Sequence, residues 1–173
     1  MKRHLTLLFD SEAIRLLITV GESIEASMEQ GLEQGQICGG DIQDDDQLTS
    51  VLRALLAEAT IVAGKLPAAC TAVLPGLATL DRLCEYPRMP AKEMARAIRH
   101  GFGEAFLDAR KYSIRWFLTH NIPDDQRESK EDRTVGMKIY ASLVRVKTVN
   151  SYLSVLSRAG LGHASIVPFV CGV

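Results

Sequence analysis

Lys92, Arg96, Arg99 and Arg110 are spaced so that, on a helix, they fall within about 60° of one another. With Lys111 beside them and Phe102, Phe106 and Trp116 along the edge, such a stripe suits a polyanion, either a phosphate backbone or an acidic protein surface. Arg145 and Lys147 extend the same basic character toward the C-terminus. The plain alternative is a solvated face whose long aliphatic stems cover the edge of the core.

A second group has the opposite sign. Glu22, Glu25, Glu29 and Glu33 recur at three- and four-residue steps, which lines them along one side of a helix. Like charges so placed cost about 0.2–0.5 kcal/mol per pair in an isolated helix. A basic protein partner, or the basic stripe of another copy, would relieve that cost.

Signs of catalysis are absent from the motifs. The chain has no G-x-S-x-G, no Gly-rich phosphate loop, no H-E-x-x-H and no G-x-G-x-x-G. Four cysteines and four histidines are scattered, with none of the close pairs that a structural zinc site draws on, so no metal or cofactor is expected. Cys70, among Ala, Leu and Val, reads as a buried thiol, and Cys171 beside Gly172 as a terminal one. Asp41, Asp44, Asp45 and Asp46 lack the spacing of a calcium loop, and Asp45 and Asp46 fit helix-capping and loop roles better. An enzyme is not the expectation.

One short segment has a known look-alike. Thr148 to Leu153, with Leu156 and Ala159 to Leu161, resembles the recognition helix of winged helix–turn–helix regulators. That resemblance implies hydroxyl and amide side chains reaching phosphates and base edges. It covers only a small part of the chain. Arg145-Val146 stands where the preceding turn usually carries glycine, and no β-wing follows, so a core helix is the preferred reading.

The elements that must position these residues read as helices. Asp10-Ser11 suits an N-cap, and Ile14, Leu17, Val20, Ile24, Met28 and Leu32 form an apolar stripe ending near Gly35. A second helix is predicted over 47–66, and short helices cut by Pro67 and Pro75 over the stretch ending at Tyr86-Pro87. A long helix is predicted over 91–120 with Met94, Ile98, Phe102, Ala105, Ala109, Tyr112 and Trp116 inward, Gly101 and Gly103 being its weak points. Residues 121–132 form a polar loop, and a last helix covers 133–159. Within it, residues 144–149 alternate apolar and basic like a strand, so a break near Arg145 is conceivable. The apolar tail 165–173 should dock on the body.

Composition bounds the whole. The chain has 173 residues, 47% hydrophobic and 24% charged, with 20 Lys+Arg against 21 Asp+Glu, which excludes disordered, collagenous and disulfide-dense classes. The near-zero net charge is lopsided, at −6 through Met89 (7 basic, 13 acidic) and +5 from Pro90 (13 basic, 8 acidic). The longest uncharged apolar stretch, fifteen residues between Lys65 and Asp81, is broken by Pro and Gly and too short to span a membrane.

The expectation is therefore an all-α, cytoplasmic protein. A single helical domain over 1–173 would be a compact bundle of five or six helices, with an acidic half 1–89 and a basic half 90–173. Its expected function is non-catalytic, namely nucleic-acid backbone binding through the basic half. The alternative is a protein–protein adaptor or self-assembling subunit that uses complementary acidic and basic helix faces.

Overall fold

The computed structural model describes residues 2–67, 69–103, 106, 108, 110–121 and 136–168, without the side chains of His120 and Asn121. The predicted polar loop therefore lies almost wholly outside the described residues, as do Ala105, Ala109 and Cys171. The chain divides into two compact units, residues 1–79 with 147–173 and residues 80–146.

The architecture is mixed α/β, and the all-α expectation is wrong. Unit 1 holds β1 (Arg3–Phe9), β2 (Ala13–Val20), β3 (Ser23–Gly31), the short β4 (Ile37–Cys38) and β5 (Asp41–Ile42), and α1 (Asp45–Ala63). β6 (Ala69–Val73) and a one-turn 3-10 helix at Gly76–Ala78 follow. Unit 2 takes up β7 (Thr79–Pro87, from its second residue), α2 (Ala91–Phe102), β8 (Tyr112–Asn121) and β9 (Gly136–Arg145). The chain then returns to unit 1 with α3 (Val146–Arg158) and β10 (His163–Val167).

Unit 1 is built on a five-stranded sheet of order β10-β6-β1-β2-β3. β1, β2 and β3 form an antiparallel meander, whereas β6 runs parallel to β1 and β10 parallel to β6. Where a first helix was predicted there is the β2–β3 hairpin, turned at Gly21 with φ 60°. The reason is the side-chain period. The fully buried residues are Leu5, Leu7 and Phe9 on β1 and Ile14, Leu16 and Ile18 on β2, two apart in each case. Leu17, which made the three-and-four spacing look helical, occupies the other face, and Val20 continues the inner row at the end of the strand.

α1 matches its predicted helix closely. Asp44, rather than Asp45 or Asp46, is its cap, accepting from the Asp46 and Gln47 amides at 2.9 Å each. Leu48, Leu52, Leu55 and Leu56 are buried, and the helix stops at Gly64 with φ 71°. The proline-cut stretch is not helical beyond its single 3-10 turn, because β-branched and small residues around Cys70 fill a central parallel strand instead.

Unit 2 is a three-stranded sheet of order β7-β9-β8 with α2 on one face. Met94, Ile98 and Phe102 of α2 pack on Ile139, Ala141 and Leu143 of β9, with Tyr86, Tyr112, Ile114 and Trp116 around them. The predicted long helix ends early, at Gly103 with φ 109°. Tyr112 and Trp116 do face the same core, but from a strand. The last predicted helix is likewise half strand, changing from β9 to α3 between Arg145 and Val146. Residues 165–167 of the tail dock as the end of β10, in register with Thr71 to Val73. No helix among the described residues is long and apolar enough to cross a membrane.

Candidate functional site

α2 begins after Pro90, whose carbonyl accepts the Met94 amide at 2.9 Å, so its rotation is set from the first turn. With Met94, Ile98 and Phe102 turned into the core, Lys92, Ala95, Arg96, Arg99 and His100 share another side of the helix. Among the described residues they line a groove of about 360 Å³. Arg99 is half-buried and fixed, donating from Nη1 to the Tyr112 carbonyl at 3.1 Å. Lys92 and Arg96 are exposed and make no ion pair or side-chain hydrogen bond among the described residues.

The rest of the predicted basic set lies elsewhere. Arg110 sits in the turn before β8, paired with Asp108 at 3.2 Å. That guanidinium, with the Arg110 amide, holds the Asp108 carboxyl below its ordinary value. Lys111 is in the same turn, where its carbonyl accepts the Val146 amide at 2.8 Å. Arg145 ends β9 and Lys147 lies in the first turn of α3. So the stripe of one long helix is reduced to three residues of a short one. Ala95 and His100, which complete the groove, were missed. Their spacing with Lys92 at i+3 and i+8 was the signal.

The acidic set is not on a helix. Glu22 is in the β2–β3 turn, Glu25 and Glu29 project from β3, and Glu33 follows it. Three of the four have partners close by: Arg3 meets Glu25 at 2.7 Å, Arg15 meets Glu29 at 2.7 Å, and the Gln47 side-chain amide donates to Glu33 at 2.8 Å. Cross-strand pairing with cations already relieves the like-charge cost that a partner was invoked to relieve. Complementary acidic and basic helix faces are thus not a feature of this fold.

A cleft of about 400 Å³ opens in unit 1, just beyond the carboxyl ends of β1 and β6, where the strand order reverses. Open α/β sheets place ligand crevices at such a point. Phe9, Asp10, Ile37, Gly40, Pro75 and Leu77 are among its walls. Asp10 is committed to holding the β1–β2 turn. Its Oδ1 accepts the Glu12 amide at 2.7 Å and the Ala13 amide at 2.8 Å, and Arg15 bonds Oδ2. Burial pushes this carboxyl up, but the two amides and the guanidinium together hold it below its ordinary value. It is a structural acceptor, not a spare base.

The helix–turn–helix look-alike forms a helix, α3, but its hydroxyls face inward. Thr148 donates to Asp41 at 2.6 Å, Ser151 to Asp45 at 2.7 Å and Tyr152 to the Gly40 carbonyl at 3.2 Å, while Arg158 pairs with Asp46. Those bonds occupy the hydroxyls that would reach a phosphate and leave only the exposed Asn150 amide of that set, and they also give the aspartate cluster separate structural jobs.

No family model and no curated protein matches this sequence. Solved structures do share its fold. A chain of the PilM–PilN type IV pilus biogenesis complex aligns with a TM-score of 0.70 at 20% identity, covering 98% of this chain and 47% of that one. The cytoplasmic domain of EpsL, an inner membrane component of the type II secretion system of Vibrio cholerae, aligns with a TM-score of 0.56 at 12% identity. That match covers 96% of this chain and 57% of the other. This chain thus spans about half the length of each. Neither neighbour is named for nucleic acid. With the basic residues dispersed and the α3 hydroxyls used internally, the nucleic-acid expectation is overturned.

Proposed function

We propose that this chain is a protein–protein assembly component of a machine of the type IV pilus or type II secretion kind. In this reading it works by docking rather than by catalytic turnover, on the cytoplasmic side of an inner membrane. One observation carries the proposal: the fold of a chain from a pilus biogenesis complex extends over 98% of this chain, so both units take part in the likeness. The EpsL domain supports it from a second machine. Function taken from fold is an analogy, so surface features of this chain must bear it out.

Unit 2 supplies such features. On β8 and β9, Phe117 stacks on Tyr140 with ring centroids 5.1 Å apart, yet Phe117 keeps 43% of its surface in solvent. Leu83 on β7 is 65% exposed. Aromatic and apolar side chains left on a rigid sheet are typical anchors of protein interfaces.

The test is made in the cell that carries the gene. Disrupting it should abolish surface pili or the secretion of folded proteins, and a photo-crosslinking residue at position 117 should capture a pilus or secretion component. Unchanged pili together with unchanged secretion would overturn the proposal.

A further inference from the structure

We propose that the α2 groove formed by Lys92, Arg96, Arg99 and His100 docks an acidic, extended segment of a partner protein. The inference rests on the protein-assembly reading above and names the chemistry of one partner contact. Charge is the first reason. Lys92 and Arg96 face solvent with no carboxylate on them among the described residues, in a protein whose net charge is −1. Several other described cations are drawn into pairs, Arg3 with Glu25, Arg15 with Glu29, Lys138 with Glu85 and Arg158 with Asp46, whereas Lys92 and Arg96 stand one turn apart on the same groove.

Shape is the second reason. Lys92 and Arg99 are seven residues apart, about 10 Å along a helix axis. In an extended peptide, side chains on one face recur every 6–7 Å or so, so alternate acids at two or three positions span the same distance. Ala95, the one small residue of the groove, leaves room for the peptide backbone between the cations. Arg99 is already held by the Tyr112 carbonyl, which leaves its remaining N–H groups aimed with less entropy to lose.

A second copy of this chain is a poor occupant. Glu25, Glu29 and Glu33 are bonded to Arg3, Arg15 and Gln47, and Asp44, Asp45 and Asp46 to the α1 cap, Ser151 and Arg158. With these described acids engaged, the segment is assigned to another protein.

Fluorescence anisotropy on the full chain, with a labelled peptide of alternating Glu and Ser as the probe, tests this. Binding should be present at about 50 mM salt and fall at least about tenfold by 300 mM. Either single reversal in the groove, Lys92→Glu or Arg96→Glu, should weaken it several-fold and the double variant a further tenfold or so, whereas Lys147→Glu, the same change as one of those single reversals but placed on α3, should leave it unchanged. If the double variant loses its circular dichroism, Arg96→Ala, a truncation at an exposed helical position, takes its place.

Equal binding by the wild type and the charge-reversed protein overturns the proposal. So does tighter binding of duplex DNA, or of phosphatidylserine vesicles, at matched charge and salt. Failure of the peptide while gene disruption still removes pili or secretion sinks only the groove. Peptide binding with pili and secretion both intact sinks the assembly reading instead.

Discussion

Phe9 and Tyr152 meet edge to face in the core of unit 1, their ring centroids 5.2 Å apart and their planes at 76°. Phe9 ends β1 and Tyr152 lies within α3, so the pair ties the first strand to a helix that the chain reaches only after leaving unit 2. The Tyr152 hydroxyl also donates to the Gly40 carbonyl at 3.2 Å. Tyr152→Phe should keep the ring contact, strand that carbonyl and cost about 1–2 kcal/mol. Tyr152→Ala should cost about 3–5 kcal/mol through the cavity it leaves. Urea titration followed by circular dichroism checks both. Equal losses from the two variants would show that the hydroxyl, not the ring, secures α3.

Burial also makes unit 1 sensitive to alkali. It pushes the Cys70 thiol up to about 11 and the Tyr152 phenol higher still, with the Asp41 charge adding to the latter. Both values lie above those of the unfolded chain, near 8.5 and 10 respectively. The neutral forms therefore stabilise the fold fully below those pH values, and that contribution drains away as pH rises through the shifted ones. Cys70→Ala should flatten the loss between about pH 8.5 and 11, and Tyr152→Phe the loss above about pH 10. Thermal midpoints across that range decide it. An unchanged alkaline slope in both variants would remove these groups as its cause.

Adjacent glycines give a graded test of backbone geometry. Gly39 and Gly40 turn β4 into β5 with φ of 57° and 84°. A side chain at Gly39 would meet open space, so Gly39→Ala should cost only about 1 kcal/mol for the left-handed backbone. At Gly40 a Cβ would overlap the backbone of Ala78 in the turn after β6. Gly40→Ala should therefore cost several times more, about 3 kcal/mol or above, because backbone must move rather than a side-chain tip. Equal stability of the two variants would mean that Ala78 yields freely.

Parts of this architecture were readable from local pattern. α1 was, because Leu48, Leu52, Leu55 and Leu56 lie on one face and an aspartate run precedes them. The Met94, Ile98 and Phe102 stripe was, since it buries as a helix face should. The hairpin β2–β3 was not, because Ile14, Leu17 and Val20 mimic a helical step while Ile14, Leu16 and Ile18 carry the burial. Only pairing with β1 separates those two periods, and pairing is non-local. β10 likewise takes its place from β6, nearly a hundred residues earlier. The candidate groove was half visible. Lys92, Arg96 and Arg99 hold their helical relationship, but Arg110 lost it when Gly103 ended the helix. The acidic residues were misread for the same reason as their strand, and their cation partners on β1 and β2 followed from the sheet alone.

Asp10 offers the sharpest separation of charge from hydrogen bonding. Its Oδ1 takes two backbone amides, those of Glu12 and Ala13, while Arg15 engages Oδ2. Although burial raises its titration, the amides and the guanidinium outweigh that and hold it below the ordinary carboxylate value. A depressed value means that the ionised form stabilises the fold above about pH 4, and that this contribution is lost as pH falls through the native value. Asp10→Ala removes both acceptors and should cost about 1 kcal/mol at neutral pH, as loss of a capping side chain does. Asp10→Asn keeps an oxygen for the amides and should cost less, losing only what the charge adds. Once the pH has fallen through the native value the wild-type carboxyl is protonated, so wild type and Asp10→Asn should converge in stability while Asp10→Ala stays below both. Denaturation midpoints at pH 7 and at the acid end decide between the two contributions. A gap between wild type and Asp10→Asn that persists undiminished in acid would show that the turn depends on the shape of the carboxylate and not on its charge.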